Sequence, residues 1–262
     1  MRIGLMGAIE EEVAFVRAEL ASPRSESSGG RRYDVGRLHG CDVVLAFSRM
    51  GKVAASATAA TLIGRYGVDA VVFSGVAGGA SADLNIGDIV VGRELVQHDL
   101  DARPLFPRFE VPLLGVSRFR APAAWQRAAA RAAREFARDD LGAAIGPAAA
   151  GAFGIGRPTV HEGLIASGDQ FIDSALELRA IRRALPGLLC VEMEGAAVAQ
   201  VCYEHRVPWV VIRAISDRAD HAAPVDYPRF IREVASHYAP GILRRLLPRC
   251  RAPGGRALSS KV

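Results

Sequence analysis

Short apolar runs alternate with helical segments along almost the whole of this chain, and that alternation restricts the fold more than any other feature of the sequence. Residues 2–7 (RIGLMG), 31–38, 42–48, 68–75 (VDAVVFSG), 87–92 (GDIVVG), 159–166 (TVHEGLIA), 187–193 (GLLCVEM) and 208–215 (PWVVIRAI) read as strands. An uninterrupted apolar run suits a strand covered on both faces. Helices are predicted over 9–20, 52–66, 122–138, 173–184, 194–205 and 226–246. In the first of these, Ile9, Val13, Val16 and Leu20 share one face. The Ser- and Gly-rich stretch 22–30 reads as a turn, the run at 68–75 stops at glycine, and the Pro-rich stretch 100–117 reads as a long loop. Residues 140–158 are Gly- and Ala-rich and show no pattern. The alternation predicts an α/β fold, a three-layer αβα sandwich with a central mixed, largely parallel sheet. Residues 1–248 read as a single domain, and 249–262 (RCRAPGGRALSSKV) as a disordered basic tail. Such sheets bind ligands at the carboxyl ends of their strands, so the residues that follow strands hold the chemistry.

Composition narrows the partners. Half of the 262 residues are hydrophobic and 23% are charged, enough for a core that needs no disulfide or metal. Cys41, Cys190, Cys202 and Cys250 include no pair at zinc-ligand spacing and read as reduced, buried thiols. MRIGLMGAIEEEV does not resemble a signal peptide, and no apolar run reaches the ~18–20 residues that span a bilayer. The expectation is a cytoplasmic protein with no membrane partner. The net charge of +5 invites a nucleic-acid partner, but the basic residues are scattered and no basic stripe is interleaved with aromatics, so none is expected. Lysine stands only at Lys52 and Lys261; every other basic residue is arginine.

Four places carry candidate chemistry. Glu10, Glu11 and Glu12 open the first helix, where negative charge is favourable in any case. FSGVAGGA at 73–80 places glycines after a strand, to admit a ligand close to the backbone or to make a tight turn. VEMEGAA at 191–197 sets two carboxylates in an apolar strand-to-helix junction, where burial without a partner is costly. VVIRAISDRAD at 210–220 runs a hydrophobic strand into Arg213, Ser216 and Asp217, and an arginine in such a strand needs a carboxylate. Three sets of carboxylates, one arginine and a glycine floor suit hydrolysis of a glycosidic bond. One carboxylic acid protonates the leaving group, a second carboxylate activates water, and a third holds sugar hydroxyls. No metal and no cofactor is called for.

At these motifs the sequence resembles the 5′-methylthioadenosine/S-adenosylhomocysteine nucleosidases of the nucleoside phosphorylase superfamily. MRIGLMGAIEEEV, MGKVAA (50–55), GVAGG (75–79), GDIVV (87–91), SGDQFI (167–172), VEMEGAA and RAISDRAD fall in family order, and the likeness runs from Met1 to about Leu246. The resemblance implies a phosphorylase/hydrolase-like fold that takes a small-molecule nucleoside and releases adenine. It implies Asp217 as the general acid toward adenine and Glu12 as the carboxylate that activates water, with Arg213 and Ser216 positioning groups nearby. Glu194 is implied to grip the ribose hydroxyls beside Met193 and Glu192. Phe171 is implied to stack on the purine while the Ile172 backbone reads its edge. Val76, Ala77 and Gly78 would floor the pocket, and Met50 and Tyr227 would line its ribose and 5′ end. The family also implies a homodimer in which loop 102–113 completes the neighbour's pocket. Burial is expected to keep Asp217 protonated, and the helix N-terminus and Arg213 to keep Glu12 ionised.

Two departures stand out. Family members often carry serine where this chain has Val76, and the loop HDLDARPLFPRFEVPLLG (98–115) differs from the shorter loop of enteric members. Futalosine hydrolases are related and could tolerate the valine. A purine nucleoside or methylthioadenosine phosphorylase would need cations around phosphate, yet three glutamates follow the first loop, and Phe73 and Ser74 precede the second glycine motif. A non-catalytic nucleoside-binding protein should lack Asp217 or Glu12. A dinucleotide-dependent oxidoreductase should show GxGxxG, which Gly4 and Gly7 do not make.

Overall fold

The computed structural model of the chain describes residues 1–217 and 223–250, with the side chains of 223–227 outside that description. Its elements are β1 (Arg2–Gly7), α1 (Glu10–Ala18), β2 (Ala21–Ser28), β3 (Arg31–Leu38), β4 (Cys41–Phe47), α2 (Lys52–Gly64), β5 (Ala70–Gly79), β6 (Ile89–Gln97), β7 (Phe119–Arg120), α3 (Ala123–Asp139), α4 (Leu141–Ala152), β8 (Val160–Ser167), α5 (Ala175–Ala184), β9 (Leu188–Glu192), α6 (Gly195–Glu204), β10 (Trp209–Asp217), α7 (Ala223–Glu233) and α8 (Tyr238–Leu246). The strands form one mixed sheet in the order β10-β6-β8-β9-β5-β1-β4-β3-β2, with β7 beside β6. The pairings of β1 with β4 and β5, of β5 with β10, and of β8 with β6 and β9 are parallel.

Strand residues alternate between two cores, as the period of two requires. Ile3, Leu5, Val43, Leu45, Val72, Val210 and Ile212 pack with α1, α3, α7 and α8 on one face. Met6, Val44, Val71, Phe73, Trp209 and Val211 pack with α2 and α6 on the other. The αβα layering follows from this partition. A third cluster, including Ile172, Leu178, Leu188 and Val191, closes the space under α5. Among the described residues no helix is long and apolar enough to cross a membrane.

The structure corrects four expectations. Residues 21–28 are a strand and not a turn. They form the exposed outer edge of the sheet, where a strand needs no apolar face, and Pro23 sits at a register shift in the pairing with β3. The turn is confined to Gly29 and Gly30, at φ 55° and 69°, the left-handed pair a two-residue hairpin demands. The strand predicted to stop at Gly75 continues to Gly79, because β10 pairs with it through Gly78 and β9 joins at Gly78–Gly79. Residues 226–246 are not one helix. Pro240 cannot donate to residue 236, so α7 and α8 are separated by a 3-10 turn at Ala235–His237. In the featureless stretch, α4 forms with a kink at Gly146 (φ 71°) ahead of Pro147. Of the expected tail, Arg249 and Cys250 lie in a closing 3-10 turn, and 251–262 fall outside the described residues.

β5 places the site. Along one edge it pairs with β10 over residues 71–78. Along the other it pairs with β1 only as far as Ser74, where β1 ends at Gly7, and then with β9 at Gly78 and Gly79. Residues 75–77 therefore have no strand on that second edge, and the notch between the ends of β1 and β9 opens there.

Candidate active site

The notch opens into a cleft lined by Ala8 and Ile9 after β1, by Gly75–Gly78 of β5, and by Met50 after β4. Gln170, Phe171 and Ile172 after β8, Val191–Glu194 at the end of β9, and Arg213, Ser216 and Asp217 of β10 complete it.

Arg213 is 1% exposed in an otherwise apolar strand. Its Nη2 and Nε donate to Glu192 Oε2 at 2.6 and 3.1 Å, its Nη1 donates to the carbonyls of Ile212 and Phe73, and its guanidinium lies 4.2 Å from the centre of the Phe73 ring. Gly75 makes room for it, since a Cβ there would stand 3.3 Å from Nη1. Glu192 is saturated: beyond Arg213 it accepts from Ser167 Oγ and from the backbone N–H groups of Glu194 and Gly195. Ser167 in turn accepts the N–H of Ala196. Glu192 thus anchors the start of α6 and the arginine together.

Fixing that junction aims the next carboxylate. Glu194 caps α6 and is buried, and its Oε1 accepts the N–H of Gly51, the residue before α2, at 2.8 Å. Burial and the neighbouring Glu192 charge push its carboxyl up to about 7. Ser216 Oγ donates to Asp217 Oδ2 at 2.6 Å, and both residues are buried at the end of β10. Val76 is half-buried and presents an apolar wall in the cleft.

Glu12 differs from the expectation. It is 2% exposed and lines a separate small cavity with Gly7, Ser74 and Val72, the first two of which directly precede cleft-lining Ala8 and Gly75 in the chain. Its Oε2 has no hydrogen-bond partner. Burial pushes its carboxyl up to about 8, against the pull of Arg213, whose charge is already held by Glu192. Burial thus favours the protonated form, the opposite direction from the ionised Glu12 expected from sequence. The structure brings Met50, Val76, Ala77, Gly78, Phe171, Ile172, Glu192, Met193, Glu194, Arg213, Ser216 and Asp217 into one cleft, whereas Glu12 lines the separate small cavity. Tyr227 falls in α7, but its side chain lies outside the described residues. Sequence reasoning missed Ala8, Ile9, Gly75 and Gln170 as lining and Ser167 as the link between Glu192 and α6. Gln170 and Ser167 stood in the SGDQFI motif, which was the available signal. Among the described residues no group of three His, Cys, Asp or Glu is arranged to hold a metal ion.

The family model described as the phosphorylase superfamily matches residues 2–248. The 5′-methylthioadenosine/S-adenosylhomocysteine nucleosidase of Shewanella baltica (strain OS185) is 38% identical over 239 residues, covering 91% of this chain and 93% of its own. The chain belongs to the 5′-methylthioadenosine/S-adenosylhomocysteine nucleosidase family of the phosphorylase superfamily. Solved structures agree with this family membership. The nucleosidase of Neisseria meningitidis in complex with methylthio-immucillin-A superposes on this family member with a TM-score of 0.82 at 32% identity, covering 94% of this chain and 98% of that one. The native futalosine hydrolase of Helicobacter pylori strain 26695 gives 0.79 at 30% identity, with 95% and 97% covered.

Proposed function

We propose that this nucleosidase-family protein hydrolyses the N-glycosidic bond of 5′-methylthioadenosine or S-adenosylhomocysteine, releasing adenine and the thio-substituted ribose. One observation carries the choice of water over phosphate as nucleophile. Arg213 is the one cation among the described cleft-lining residues, and Glu192 neutralises it at 2.6 Å. A phosphate dianion would enter a cleft whose described lining offers it no free positive charge.

In the proposed reaction Phe171 stacks on the purine and Glu194 accepts the ribose hydroxyls. Asp217 delivers a proton to the imidazole ring of adenine as the C1′–N bond breaks and its electron pair leaves with the base. Glu12 accepts a proton from the water whose oxygen bonds to C1′. Glu12 acts in its ionised form, its own proton having passed to solvent beforehand, and positive charge developing on the ribosyl carbon favours that form against the pull of burial. Val76 and Met50 offer apolar surface to the 5′ substituent. A homodimer completes the site in this reading. Val53 (82% exposed), Leu105 (81%) and Leu113 (93%) offer unburied apolar surface, and Val53 and Leu105 lie close in sequence to cleft-lining Met50 and to the Asp99 loop. The four free, buried cysteines suit a reducing, cytoplasmic setting.

The test is product analysis with and without phosphate. Adenine and free methylthioribose at phosphate-independent rates are expected from 5′-methylthioadenosine. Methylthioribose 1-phosphate formed only with phosphate would replace the hydrolase by a phosphorylase. Val76 and the likeness to the Helicobacter pylori enzyme favour one second reading, so futalosine is assayed in parallel; turnover of it alone would move the preferred substrate.

A further inference from the structure

Lys52 is the sole lysine among the described residues of a chain that otherwise uses arginine, and it stands at the first position of α2, beside the cleft. Its ammonium donates to Asp99 Oδ1 at 2.6 Å and to Gln97 Oε1 at 3.1 Å. Asp99 Oδ2 accepts the backbone N–H of Asp169 at 2.9 Å. Asp169 Oδ1 accepts the backbone N–H of Lys52 at 2.7 Å. The three residues close a ring: Lys52 to Asp99, Asp99 to Asp169, Asp169 back to Lys52.

The strands dictate the ring. β6 and β8 run parallel and in register to Gln97 and Ser167, so Asp99 and Asp169 emerge side by side. The N–H of His98 still bonds to the Ser167 carbonyl, and the His98 ring fills the space where Gly168 lacks a side chain. β4 reaches the same place from the far side of β5 and delivers Met50, Gly51 and Lys52. Gly51, at φ 94°, turns its N–H onto Glu194 while Lys52 turns its own onto Asp169. A compact ammonium with three donors can serve Gln97 and Asp99 at once from a side chain that is 16% exposed; the flat fork of an arginine is built for a paired acceptor instead.

We propose that Lys52, Asp99 and Asp169 are positioning residues that set the spacing between Met50 and Phe171 across the cleft mouth and hold the Gly51 amide on Glu194, and so govern nucleoside affinity. Met50 lies two residues before Lys52, Phe171 two after Asp169, and both line the cleft. Both are exposed, and the ring ties together the two segments that carry them. An ion pair this near the surface adds little to global stability, which confines its effect to the segments it joins. The kinetic part of the proposal rests on the nucleosidase reading.

The test uses Lys52→Met, Asp99→Asn and the double variant of the full chain. For 5′-methylthioadenosine, KM is expected to rise about tenfold in each single variant, with kcat within about threefold, because positioning and not chemistry is lost. The double variant should be no worse than either single one, since the ring opens once. Hydrogen exchange on the substrate-free proteins should show 48–53 and 168–172 losing protection together. Unchanged KM, additive losses, or increased exchange in one segment alone would overturn the ring. If the wild type hydrolyses no nucleoside, the functional reading fails, and the exchange measurement still decides the ring. Asp99→Asn keeps every atom position of the ring and suffices alone should Lys52→Met not fold.

Discussion

Burial pushes the Glu12 carboxyl from 4.5 up to about 8, which favours its protonated form at neutral pH. The stability consequence has a definite sign. Below 4.5 both folded and unfolded chains keep the proton; as pH rises toward 8 the unfolded chain loses it and the folded chain does not, so the fold weakens across that window. Glu12→Gln should abolish turnover and yet raise thermal stability, by an amount that grows from pH 5 to pH 9 and reaches a few kcal/mol at most. Thermal melts across that range check it, and a difference that does not change with pH would remove Glu12 from its buried, protonated state. Asp217→Asn belongs beside it: a lost proton donor should cost about 10²–10⁴ in rate with the melting temperature little changed. At this scale the sequence was informative about identity and poor about state. The carboxylates were visible in EEE, EME and SD, and Arg213 announced its need for a carboxylate. That the partner is Glu192 and not Glu12 depends on β9 and β10 flanking the end of β5 on its two edges, which a linear sequence does not show.

Elements were legible where burial imposes a period and hidden where it does not. β10 and β5 betray themselves by unbroken apolar runs, while β2 is an edge strand of Ser, Arg and Glu with nothing to distinguish it from a loop. The extension of β5 through Gly75–Gly79 was masked by residues usually read as strand breakers. Glycine is needed there because Arg213 packs on Gly75, and the Asp217 carbonyl and Ile215 close on Gly79 at 3.3 Å. The same reasoning gives a prediction for the ends of β6 and β8. Gly168→Ala would drive a methyl group into the His98 ring and should cost about 1–3 kcal/mol, as overpacking generally does. A melting temperature lowered by several degrees is the expected reading, and an unchanged one would mean that the two strand ends move apart freely.

For the molecule as a whole, the layered architecture followed from alternation alone, whereas the homodimer is a proposal drawn from family likeness and from exposed apolar side chains. Leu113→Asp should leave each subunit folded, shift sedimentation toward the monomer and lower activity at low protein concentration; a monomeric wild type, or a variant that stays dimeric, would count against loop 102–113 as interface. The gap left on β5 between β1 and β9 has a further meaning. Over residues 75–77 one row of peptide groups is spared from sheet pairing, so the cleft floor can address a ligand with main-chain donors and acceptors that substitutions other than to proline leave in place. The side chains above that floor, Val76 foremost, are then free to vary. A lineage can revise which nucleoside it prefers by redecorating the wall while the grammar of recognition beneath it stays the same.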